Sequence, residues 1–108
     1  MEVDLSPSEL LAAVREGRQI KDSDAVRHAA IEYLRSLIRS ALEIDGSEEL
    51  PAGVPLRDIG VDSLLGLAIQ DRVNEDLGVF VNPAALAEDP TLAKLAGMLI
   101  SELSASRS

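Results

Sequence analysis

Cysteine is absent from all 108 residues, which excludes disulfides, thiolate metal sites and cysteine nucleophiles together. Histidine occurs once, at His28, too few for a His-based metal cluster. With no G-x-S-x-G elbow to accompany it, His28 reads as a helix-surface residue, and autonomous catalysis by a serine is not expected. Tryptophan is missing, and Tyr33 and Phe80 are the only aromatics, which leaves no base-stacking platform or carbohydrate cleft. No apolar run approaches the roughly 20 residues of a membrane span, and no signal-peptide pattern opens the chain. A soluble, cytoplasmic domain with no membrane attachment is therefore expected. The length suits one domain and leaves little room for two.

Positive charge is also scarce. Nineteen acids against ten bases give a net charge of −9, which argues against nucleic acid as a partner. Residues 41–89 hold eleven of the acids, with only Arg57 and Arg72 as bases, so the acidity lies in the middle of the chain. Such a surface is one that basic partners read, or simply a solvated acidic face. Asp45-Gly46-Ser47-Glu48-Glu49 does not fit a calcium loop, because its glycine stands second where the EF-hand needs it sixth. It reads as a solvated loop, and no metal site is expected.

What is present is helical periodicity. Ser6-Pro7-Ser8-Glu9 is a helix start, with a capping serine, a proline suited to the first turn and a capping-box glutamate. It predicts a short leader or linker helix near 7–16 carrying Leu10, Leu11, Ala13 and Val14, ended by Gly17. Asp22-Ser23-Asp24 begins a longer helix. Its stripe is Val26, Ala30, Leu34, Leu37, Ala41 and Ile44, with Arg27, Arg35 and Arg39 off the stripe. Asp45-Gly46 is expected to stop it. A loop punctuated by Pro51, Gly53 and Pro55 then runs to about residue 60, with Leu56 and Ile59 tucked onto the core.

A third helix is predicted from Asp62 or Ser63 to Leu77, with Gly78 as its C-terminal cap. Asn82-Pro83 opens a short helical turn through Ala87, and Asp89-Pro90-Thr91 opens a last helix striped with Leu92, Leu95, Leu99 and Leu103. Val79-Phe80-Val81 is too short to found a sheet. The expected fold is all-α: a small bundle of three main helices plus one short helix, with an N-terminal leader helix. Residues 1–21 form the leader, 22–103 the domain and 104–108 a polar tail.

The helix over 62–77 has two apolar faces. At 100° per residue, Leu65, Ile69, Val73, Gly66 and Leu77 fall within about 120° of one another and make a core face. Leu64, Leu67, Ala68, Asp71, Asn74 and Glu75 fall opposite, and a solvated face needs no leucines. Leu64 and Leu67 rimmed by Asp71 and Glu75 read as a docking patch, with apolar contact at the centre and acids for steering. The alternative is that one leucine packs under the loop over 45–60. Asp76 lies on the core side, tolerable near a helix end. Ser63 stands at the helix N-terminus, where free backbone N–H groups and the positive dipole end favour a phosphate. Alternatively, Asp62 or Ser63 is no more than an N-cap.

The run Ile59-Gly60-Val61-Asp62-Ser63-Leu64-Leu65 resembles the phosphopantetheine attachment motif of acyl carrier proteins, (L)G-x-D-S-L. The similarity continues through Ile69, Val73, Leu77 and Gly78, and through Pro83–Leu95 with Asp89-Pro90-Thr91-Leu92. Altogether it covers about residues 25–103 and is most like carrier domains of modular polyketide synthases, which Gly66 and the leader helix also resemble. Leu56 replaces the phenylalanine of many relatives but still supplies an apolar anchor. Ile69 stands where carriers dedicated to β-branching often have tryptophan, so that specialised role gains no support. Asp62 before the serine leans toward acyl rather than peptidyl carriers.

The resemblance implies a carrier, with no catalytic residues of its own. A phosphopantetheinyl transferase would move 4′-phosphopantetheine from coenzyme A onto Ser63, with Asp62 part of the motif. The arm would hold acyl groups as thioesters for a ketosynthase, an acyltransferase and tailoring domains, as in antibiotic biosynthesis. Leu64, Leu67, Ala68, Asp71 and Glu75 would meet those partners. The isolated domain is expected to be monomeric, and the chain to continue beyond either end in a larger synthase. The competing reading is an unmodified helical docking domain, which needs no hydroxyl at position 63.

Overall fold

The computed structural model describes residues 7–16, 23–43, 50, 52–81 and 91–105, and the backbone but not the side chains of Pro7, Ser8, Ser23 and Ser63. Five helices are present among the described residues: α1 (Pro7–Arg15), α2 (Ser23–Leu42), α3 (Leu56–Ile59), α4 (Ser63–Leu77) and α5 (Leu92–Ala105). They contain no strand; one isolated bridge joins Pro55 to Thr91. The all-α bundle expected from periodicity is the observed architecture.

The core forms where the apolar stripes of α2, α4 and α5 meet. Leu34 and Ile38 of α2, Ile69 and Val73 of α4, and Leu95 and Leu99 of α5 are all buried there. The buried face of α2 is wider than the expected stripe, because Ala29, Tyr33 and Ile38 are buried beside Val26, Ala30, Leu34 and Leu37. Ala41, expected on that stripe, is exposed. In the same last turn of α2, Leu42 is half-buried against the core, and its methyl carbon lies 3.6 Å from where a Cβ on Gly60 would sit. Helix α2 also ends at Leu42, before Asp45-Gly46, with Glu43 turned to a left-handed φ of 55°. Ile44 and the acidic loop through Glu49 lie outside the described residues, as do Ser6, Gly17 and the turn expected over 82–87.

Helix α1 joins this core directly. Leu11 is fully buried, with Ala13 and Val14 buried beside it, and the helix packs on α2, α5 and α4. At its end, the Arg15 guanidinium lies over Gly78, 3.0 Å from where a Cβ would stand. The expected loop before residue 60 contains the single turn α3, which buries Leu56 and half-buries Ile59. The chain before α3 is tied to two helices: Arg35 Nε of α2 donates to the Leu50 carbonyl at 2.9 Å, and the Ala93 N–H of α5 donates to the Ala52 carbonyl at 3.0 Å. The second bond satisfies a first-turn N–H of α5 that has no intrahelical acceptor. Thr91 Oγ1 accepts from the Lys94 N–H at 3.2 Å and caps the same helix. Helix α5 continues to Ala105, so the expected polar tail begins inside it.

Candidate functional site

The site is built on α4, and local chemistry fixes both ends of that helix. Asp62 takes extended geometry, and its carboxylate accepts the Leu65 N–H at 2.8 Å, while its carbonyl accepts the Gly66 N–H at 2.9 Å. Asp62 is thus the N-cap and Ser63 the first helical residue. At the other end Gly78 adopts φ 70°, ψ 21°, and its N–H donates to the Asn74 carbonyl at 2.9 Å. Glycine reaches that left-handed geometry without a Cβ penalty.

Between those caps the two faces separate as expected. Gly66, Ile69, Val73 and Leu77 are buried, and Leu65 is half-buried. Leu64 (77% exposed), Leu67 (51%), Ala68, Asp71, Asn74 and Glu75 all face solvent, so neither leucine packs under the preceding loop. Asp76 is exposed near the helix end and accepts the Tyr33 hydroxyl at 2.8 Å, with Arg72 Nε 3.8 Å from the same oxygen. Burial, then the hydrogen bond and charge of Asp76, push the Tyr33 hydroxyl far above the ordinary tyrosine range, so it stays a donor. His28 is exposed on α2, as expected.

Two further residues belong to this region and carry no sequence motif. Gln70 is buried, and its amide pairs with one residue twice: Oε1 accepts the Val81 N–H at 3.1 Å and Nε2 donates to the Val81 carbonyl. Asn74 Nδ2 also donates to the Val79 carbonyl at 3.4 Å. The chain after Gly78 therefore doubles back along α4, with Val79 and Val81 turned in and Phe80 turned out, 58% exposed. The alternation in Val79-Phe80-Val81 was visible in the sequence, but the partner of Gln70 is a backbone unit eleven residues away.

The N-terminal end of α4 fits an attached phosphate. Helix geometry leaves the N–H groups of Ser63 and Leu64 without intrahelical acceptors, while the Asp62 side chain takes that of Leu65. The positive end of the helix dipole lies there, and the flanking Asp62 and Leu64 are both exposed. Among the described residues no group of His, Cys, Asp and Glu could hold a metal ion, and no helix is long and apolar enough to cross a membrane.

Comparison with known proteins follows the same region. A family model described as "Phosphopantetheine attachment site" matches residues 32–99, nearly two-thirds of the chain and all of α3 and α4. The chain is 27% identical over 93 residues to 6-methylsalicylic acid synthase of Aspergillus terreus, covering 85% of this chain and 5% of that protein. It is 34% identical over 83 residues to polyketide synthase ThaG of Burkholderia thailandensis, covering 77% of this chain and 1% of that protein. The chain thus spans a small fraction of the curated relatives it matches. No solved structure matches it significantly. On the strength of the family match, this chain belongs to the phosphopantetheine attachment domains, carriers without catalysis of their own that hold 4′-phosphopantetheine covalently.

Proposed function

We propose that Ser63 is the attachment point and that the domain carries acyl intermediates, as thioesters, between enzymes of a polyketide-type synthase. The observation that carries this reading is the placement of Ser63 at the capped N-terminus of α4, immediately before an exposed Leu64/Leu67 patch. In the loading step a phosphopantetheinyl transferase binds coenzyme A and this domain together. The Ser63 oxygen forms a new bond to phosphorus, the pyrophosphate link of coenzyme A breaks, and adenosine 3′,5′-bisphosphate leaves. The serine proton passes to a base on the transferase. When bound, the arm supplies a thiol that the chain itself lacks. Tethering then raises the local concentration of the acyl group at each partner's active site.

Leu64, Leu67, Ala68, Asp71 and Glu75 form the docking face in this reading. One surface must serve a transferase, a ketosynthase, an acyltransferase and tailoring domains in turn. Small, electrostatically steered contacts suit such brief encounters. The isolated domain is monomeric and works in the cytoplasm, where coenzyme A is supplied.

The test is intact-protein mass after incubation with coenzyme A, magnesium and a broad-specificity phosphopantetheinyl transferase. Wild type gains the mass of one phosphopantetheinyl group, while Ser63→Ala gains none and keeps its helical circular dichroism. A folded wild-type sample that gains no mass, beside a control carrier that loads, overturns the reading in favour of an unmodified docking domain.

A further inference from the structure

We propose that Phe80 is a third apolar contact of the docking face, positioned by Gln70, and that the surface it meets is the transferase acting on Ser63. The inference rests on the carrier reading above. Leu64, Leu67 and Phe80 are the large hydrophobic side chains exposed among the described residues. On the α4 wheel Gln70 lies about 140° and Asn74 about 180° from Leu65, and Leu67 follows at about 200°. The chain over 79–81 is bonded to Gln70 and Asn74, so it runs along the edge of α4 adjoining Leu67. Val79 and Val81 point into the core, and alternation in this extended stretch turns Phe80 outward.

Distance along the helix puts Phe80 within reach of a partner seated over Ser63. Gln70 and Asn74 lie seven and eleven residues beyond Ser63, or about 10 and 17 Å along the axis, and Phe80 lies between them. A standard interface covers about 800 Å² on each partner, a disc of roughly 16 Å radius. The occupant's chemistry follows from its substrate. A transferase must bind the phosphates of coenzyme A beside its active site, which calls for Lys and Arg there. Asp71 and Glu75, exposed beside the leucines, complement such a basic rim, while Leu67 and Phe80 complement an apolar hollow within it. Gln70 acts through Phe80: its buried amide satisfies both backbone groups of Val81, so the strap is held where Phe80 stands out.

Steady-state loading with a broad-specificity transferase and coenzyme A tests this directly. Phe80→Ser is expected to raise KM for the carrier roughly tenfold, the loss typical of a buried aromatic contact, with kcat within about twofold. Its circular dichroism and urea midpoint should match wild type. Gln70→Leu should raise KM by a similar factor, yet add little in the Phe80→Ser background, because both act through one contact. A purely structural Gln70 would multiply the two effects. Should Gln70→Leu fail to fold, Phe80→Ser alone decides. Wild-type KM for Phe80→Ser overturns the proposal and leaves the carrier reading standing, since loading itself has occurred. Wild-type chain that never loads takes both readings down.

Discussion

Asp62 holds the first turn of α4 through the bond its carboxylate accepts from the Leu65 N–H. Alanine there removes the acceptor and leaves that N–H to water, a change that costs about 1 kcal/mol at a helix N-cap. Asp62→Ala should therefore lower unfolding stability by about that amount in urea titration, while Asp62→Asn stays within a few tenths of wild type. Equal stability of all three would show that the cap contributes nothing. Residues of this kind are legible in sequence because their rule is local: Asp62 and Gly78 fit cap positions whatever the rest of the chain does. Gln70 obeys no local rule. It is buried, and its amide is satisfied there because Val81 returns to meet it. Ala41 errs in the opposite direction, apolar and in register yet exposed.

At the scale of the element, α4 divides its work between two faces. Ile69, Val73 and Leu77 anchor it, and Leu64 and Leu67 remain exposed to water with Asp71 on the same face. A leucine with half its surface exposed contributes little to folding, so Leu67→Glu should change unfolding free energy by no more than about 0.5 kcal/mol. The same change puts a charge where a partner needs apolar contact, so transferase kcat/KM should fall at least tenfold. Loading at the wild-type rate by a stably folded Leu67→Glu variant would remove the face from the account. Periodicity revealed α4 and α5 nearly to the residue, because α4 runs between the Asp62 and Gly78 caps and α5 carries a regular leucine stripe after Thr91. Helix α3 was hidden because four residues are too few to show a 3.6-residue period.

At the scale of the whole molecule, the structure adds most at the N-terminal helix. Nine residues with a short apolar stripe suggested a leader, since so short a helix is unstable alone. Tertiary packing supplies what propensity lacks. The radius of gyration, 13.4 Å, is close to the roughly 13 Å of a compact chain this long. The family match begins at residue 32, so α1 lies outside it, yet Leu11 is among the largest fully buried side chains. Truncating such a leucine leaves a cavity as well as lost burial, together about 2–5 kcal/mol. Leu11→Ala should thus lower the urea midpoint by a matching amount with an unchanged slope, whereas a detachable leader would lose under about 0.5 kcal/mol. Geometry also separates this effect from function. Glu9 and Ala12 share a groove with Arg72 and Asp76, and Arg15 covers Gly78, so α1 braces the end of α4 far from Ser63. In buffer without denaturant, where the variant remains folded, Leu11→Ala should load with wild-type KM. A raised KM in that folded sample would mean that α1 reaches the docking face through α4.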